Sequence, residues 1–140
     1  MNKLIPGPVF SIVTPFTDSL DIDFDSLEKY IDNAYQNGAK QFYVMGYNSR
    51  FHELSWDEIK KLNRFVTKFV KGLDNQNKII VADPLHCPTE VSLQFALDAQ
   101  KSGADLISLI FREKFYNNQQ VIEHFKFIQC FPIGGECLVA

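Results

Sequence analysis

Apolar residues fall along the chain in two alternating rhythms. Short continuous runs at Val9 to Val13, Phe42 to Met45, Lys78 to Ala82 and Leu106 to Phe111 have the length and composition of buried strands. Between them, apolar positions return every three or four residues, the period of an amphipathic helix. The first helical stripe is Phe24, Leu27, Ile31, Ala34 and Tyr35, opened by Asp23 or Asp25 as a cap and stopped at Gly38. The second is Ile59, Leu62, Phe65, Val66, Phe69 and Val70, opened by a capping box of Ser55 and Glu58 and closed at Gly72. Thr89 caps a third helix that carries Val91, Phe95, Ala96 and Ala99 and ends at Gly103. A fourth presents Val121, Ile122, Phe125 and Ile128 to a core, and Ile133 to Ala140 starts a fifth strand.

Strand-then-helix units repeated about every 30 residues predict βαβ topology with right-handed crossovers. The expected class is α/β, as either an open doubly wound sheet or part of a (β/α)8 barrel. Thr14 to Asp18 occupies the turn where a dinucleotide or P-loop fold carries its glycines, which argues against both. The 140 residues, 46% of them hydrophobic, suffice for one domain with a sizeable core.

A net charge of -3 and a pI near 5.5 exclude a global attraction for nucleic acid or an anionic membrane. Pro6 and Pro8 cut the amino-terminal apolar stretch too short for a signal or spanning segment, so a cytoplasmic protein is expected. Cys87, Cys130 and Cys137 lack the spacing of a disulfide framework or zinc knuckle, and no cofactor is expected.

In parallel α/β folds, ligands bind at the carboxyl ends of the strands. The loop after Phe42–Met45 is therefore the first place to look, with Gly46 as the point where the backbone turns. Tyr47, Asn48, Arg50 and His52 lie on it, while Thr14 and Asp83 follow the neighbouring strands. Arg50 together with Arg112 has the forked geometry to hold a carboxylate or phosphate. His52 is the acid–base candidate by position. Glu113 and Lys114 belong to the same end, and Lys114 is the amine placed there, whereas Lys40 and Lys78 precede strands on the opposite end. Asp83, His86 and Cys87 suit a divalent metal by type, but not by spacing, so no metal is expected. His124 is read as structural and the phenylalanines as core.

The segment GPVFSIVTPF at 7–16, with Ile22-Asp23, resembles the opening of the dihydrodipicolinate synthase and N-acetylneuraminate lyase family of (β/α)8 barrels. Gly46, Leu54 and Asp57-Glu58 repeat that family's frame after its second strand. Gly103-Ala104-Asp105 resembles the approach to its fourth strand, and His124-Phe125 a pair on its fourth helix. The resemblance implies a partial (β/α)8 TIM barrel, comprising the first four βα units plus the start of a fifth strand. It also implies a lyase or aldolase that makes or breaks a carbon–carbon bond beside a 2-keto acid held as a Schiff base on lysine, the protonated imine acting as an electron sink.

The family's Thr-Thr-Gly-Glu corresponds here to Tyr47, Asn48, Ser49 and Arg50, so Tyr47, Asn48 and Arg50 are the substrate-binding candidates. Its Thr-Pro-Tyr-Tyr corresponds to Ile110-Phe111-Arg112-Glu113, leaving Tyr116 as the nearby tyrosine; a fifth-strand tyrosine corresponds to Glu136. The family's lysine lies on a sixth strand and corresponds to no residue here, so the catalytic residues stay unassigned and the 140-residue chain is expected to be inactive alone. The expected ligand is a keto acid or sugar acid. The alternative is a non-catalytic member that binds a small acid or a partner subunit. A half barrel leaves strand edges one and four unpaired, which predicts a homo-oligomer or a complementing barrel half.

Overall fold

The computed structural model describes residues 7–84, 87–109, 117–129 and 136–139. Its strands are β1 (Phe10–Ser11), β2 (Gln41–Val44), β3 (Lys78–Ala82), β4 (Leu106–Leu109) and β5 (Glu136–Val139). They alternate with the helices α1 (Phe24–Gln36), α2 (Trp56–Leu73), α3 (Thr89–Lys101) and α4 (Asn118–Gln129). All four strand pairings are parallel and the sheet order is β1-β2-β3-β4-β5. That order decides between the two expected architectures: each crossover advances one strand in the same direction, as in a (β/α)8 barrel, and the order never reverses as it does in a doubly wound sheet. β5 is paired to β4, so the unpaired edges are β1 and β5, not β1 and β4 as expected.

Strand register sorts the side chains into two faces. Phe42, Val44, Ile79, Val81, Ile107 and Leu109 alternate onto one face and join a single apolar cluster with helix residues Leu27, Ile31, Leu62, Val66, Val70 and Phe95. The other face, the barrel interior, carries Ser11, Tyr43, Ile80, Leu106 and Ser108.

Local signals explain most helix boundaries. Asp23, rather than Asp25, caps α1 by accepting from the Ser26 amide at 3.0 Å. The Ser55–Glu58 capping box opens α2. Gly38 and Gly103 follow α1 and α3 with φ of 96° and 95°. Three expectations need correction. Gly72 lies inside the last turn of α2, which runs on to Leu73 and a cap at Asp74. Thr89 is the first residue of α3, capped by Pro88, and its hydroxyl meets His124 Nδ1 at 2.9 Å. Ile122 of α4 does not face the core but is 46% exposed; the Ile128 side chain lies outside the described residues.

At the amino end of the sheet, Asp105 ties α2, β3 and β4 together. Its carboxylate meets Lys71 Nζ at 2.7 Å and Lys78 Nζ at 3.0 Å, and accepts from the Ile79 amide at 2.9 Å. Burial alone would raise this carboxyl; the hydrogen bonds from Lys71, the Ile79 amide and Lys78, with the Lys71 charge, outweigh it and hold Asp105 below the ordinary 3.8. A carboxyl lowered by folding stabilises the native state fully above its unfolded value, and that stabilisation is lost as pH falls through the depressed folded value. Asp105→Asn should therefore lower stability at neutral pH and flatten its decline in the acid range below about pH 5, as followed by urea unfolding. A decline as steep as that of the parent chain would contradict this role.

Candidate functional site

The backbone leaving β2 is bent at an unexpected residue. Met45, 1% exposed, has φ 66°, a left-handed conformation that is rare for a bulky side chain. Gly46 has φ -67° and ψ 171°, accessible to any residue. The turn expected at Gly46 is therefore made by Met45, and Gly46 is needed for space. A Cβ there would lie 2.8 Å from Tyr43 Cε1, 2.9 Å from Cδ1 and 3.1 Å from Ser11 Oγ.

Two short 3-10 turns follow, Tyr47–Ser49 and Phe51–Glu53, joined by Arg50 in a left-handed conformation with φ 54°. Ser11 Oγ donates to Asn48 Oδ1 at 2.7 Å, tying the first turn to β1. Ser49, 1% exposed, turns inward, its amide donating to the Gly46 carbonyl at 2.9 Å. The Tyr47 backbone opens the first turn; its side chain lies outside the described residues.

Tyr43 projects into the barrel interior, and its hydroxyl donates to Ser108 Oγ at 3.1 Å. That bond crosses two strand spacings of about 4.8 Å each. Ala82 is the row partner of Ser108 on the intervening strand, and its small side chain leaves the path open. The carboxyl end of the sheet thus carries neutral hydrogen-bonding groups: Ser11, Tyr43, Asn48 and Ser108. Thr14, with its buried hydroxyl, is the matching residue after β1.

The expected charged groups are differently engaged. Arg50 grips Glu53 through two hydrogen bonds, Nε to Oε1 at 3.2 Å and Nη2 to Oε2 at 2.6 Å, and lies over the Phe16 ring at 4.9 Å. Those bonds hold the Glu53 carboxyl below its ordinary value. His52 is 65% exposed, its Nε2 3.6 Å from Glu53 Oε1. Asp83 is buried and turned toward α3, where Ser92 Oγ donates to it at 2.6 Å. Among the described residues no three metal-ligating side chains converge. Lys40 and Lys78 sit on the amino side, bound to Asp74 and Asp105. His86, Arg112, Glu113, Lys114 and Tyr116 lie outside the described residues, as does the Glu136 side chain. Sequence reading missed Ser11, Tyr43 and Ser108. The available signal was strand parity: a polar group at an interior-facing position in three apolar strands.

Sheet order and register define the amino-terminal part of a (β/α)8 barrel, and its polar carboxyl end is the candidate site. The chain belongs to the dihydrodipicolinate synthetase family, whose model matches residues 6–131. It is 30% identical over 131 residues to the 4-hydroxy-tetrahydrodipicolinate synthase of Staphylococcus epidermidis, a match covering 91% of this chain and 42% of that enzyme. It is similar in structure to N-acetylneuraminate lyase from Fusobacterium nucleatum, with a TM-score of 0.83 and 13% identity over 98% of this chain and 46% of that one. A second similar structure is YagE, an E. coli K12 prophage protein of the dihydrodipicolinic acid synthase family in complex with pyruvate. There the TM-score is 0.82 at 19% identity, over 94% of this chain and 43% of that one. The chain spans about two fifths of the length of the curated relatives it matches. No helix among the described residues is long and apolar enough to cross a membrane.

Gly46→Ala tests the close approach. The added Cβ should cost about 1–3 kcal/mol through overpacking against the Tyr43 ring. In a Tyr43→Val background the same substitution should cost clearly less, giving a coupling measurable by urea unfolding. Equal costs in both backgrounds would remove Tyr43 as the reason for the glycine.

Proposed function

We propose that this chain is the amino-terminal part of a single (β/α)8 domain of a lyase or aldolase. Its substrate is a 2-keto acid or sugar acid, held as a Schiff base on a lysine of the completed barrel. Family membership over residues 6–131 carries the proposal, and the hydrogen-bonding groups at the carboxyl ends of β1, β2 and β4 support it. The family's lysine belongs to a sixth strand, and the described residues form five. This portion therefore contributes substrate binding, through Tyr47, Asn48 and Arg50, and the completing portion contributes the amine. Arg50 serves through its grip on Glu53, which fixes the path of the loop.

That same grip favours a second reading. A guanidinium already paired to a carboxylate has less to offer a ligand, and both threonines of the family's Thr-Thr-Gly-Glu are replaced here; both suit a member that binds a small acid or a partner subunit without turnover. The open β1 and β5 edges support assembly as a homo-oligomer or with a complementing barrel half. The chain should then sediment as a dimer or larger species, and a monodisperse monomer would contradict this. The catalytic reading predicts that a protein extended through the sixth strand gains mass when treated with pyruvate and borohydride. Stabilisation by keto acids in thermal-shift measurements without such an adduct would favour the binding reading.

A further inference from the structure

We infer that the outward face of α1 and α2 is a docking surface for a second copy of this chain, built on opposite charges that meet across a twofold axis. The contact uses neither the strand-end loops nor the open β1 and β5 edges, so it does not rest on the proposed activity. The chain carries a net charge of -3, yet its cations are unevenly spread. α2 holds five of the 14, Lys60, Lys61, Arg64, Lys68 and Lys71, with its two carboxylates, Asp57 and Glu58, confined to the first turn. α1, packed beside it through Phe24 and Phe65, carries Asp25, Glu28 and Asp32 against one cation, Lys29. These four line the furrow between the helices together with half-buried Phe69 and Leu73, which give the face an apolar centre. Arg64, Lys68 and Lys71 line the next furrow, toward α3.

Spacing matches the two sets of charges. Read forwards, the α1 carboxylates stand three and then four residues apart; read backwards, Lys71, Lys68 and Arg64 do the same. An antiparallel α1 therefore sets Asp25 level with Lys71, Glu28 with Lys68 and Asp32 with Arg64, along about 10 Å of helix axis. Within one chain both helices return along a parallel sheet and point the same way. A second copy, turned about a twofold axis perpendicular to the helices, brings its α1 antiparallel to this α2, and the same rotation makes every contact twice. Arg64 is shared with Asp98 and Lys71 is held by Asp105, whereas Glu28 and Lys68 make no ion pair among the described residues. Glu28–Lys68 is thus the central pair. A face two helices wide and about 20 Å long buries about 400 Å² per copy, half of a standard interface, so the association is weak and salt-sensitive.

The test is sedimentation velocity of the 140-residue chain at about 20 mM and about 300 mM salt, a range over which exposed charges become screened. Low salt should double the species present at high salt, whichever species the strand edges support. Lys68→Glu and Glu28→Lys, both at exposed helix positions with the fold checked by circular dichroism, should each weaken that doubling about tenfold or more, because the twofold axis repeats the like-charge contact. An equimolar mixture of the two variants should associate at low salt, since both of its central pairs are again attractive, and the doubly substituted chain should recover the doubling by itself. A salt-independent species distribution, or variants whose mixture associates no better than either alone, would overturn the inference while leaving assembly through the strand edges standing.

Discussion

The close approach at Gly46 is the constraint on which the candidate site depends. Tyr43 and Ser11 share a register row on the interior face, and both press on the same point of the chain leaving β2. A Cβ at 46 would stand 2.8 Å from the Tyr43 ring and 3.1 Å from Ser11 Oγ, so the ring or the loop would have to shift. The absence of a Cβ lets the backbone lie against the Tyr43 ring, and the left-handed conformation of Met45 delivers it there. Such a conformation costs on the order of 1–3 kcal/mol and persists where the surrounding packing over-determines it; the burial of Met45 supplies that packing. Strand, glycine and loop therefore act as one unit.

The opposite end of the sheet is organised by charge. Asp105 satisfies two lysines and a backbone amide at once, joining α2, β3 and β4 where the strands begin. The amino end is thus tied by a partly buried ion cluster. The carboxyl end is held by hydroxyls, an amide and one compact loop. This division is the usual one for barrels, in which one face maintains the scaffold and the other is left for chemistry.

Much of the scaffold was legible because each signal had a local cause. The Ser55–Glu58 box and the glycines after α1 and α3 act within a few residues, and the apolar stripes report which face of a helix meets the sheet. The signals that misled were equally local. Gly72 resembled a stop, yet α2 packs on past it; Thr89 looked like a cap, yet Pro88 takes that place and the threonine turns to His124. Gly46 acts sterically and not as the turn residue, a role that depends on where the Tyr43 ring falls. The site residues were the hardest to see. Ser11, Tyr43 and Ser108 lie far apart in the chain and become neighbours only through register, whereas Arg50 looked available until its pairing with Glu53 was visible.

That pairing also shapes the electrostatics of the loop. Arg50 and Glu53 cancel within three residues, so the stretch from Tyr47 to Leu54 carries no net charge when His52 is neutral. An anionic ligand approaching it meets local dipoles whose influence fades within a few ångströms, in place of the long-range pull of an unpaired cation. Recognition there would be governed by fit at contact, and would respond weakly to ionic strength compared with a site built on free arginines.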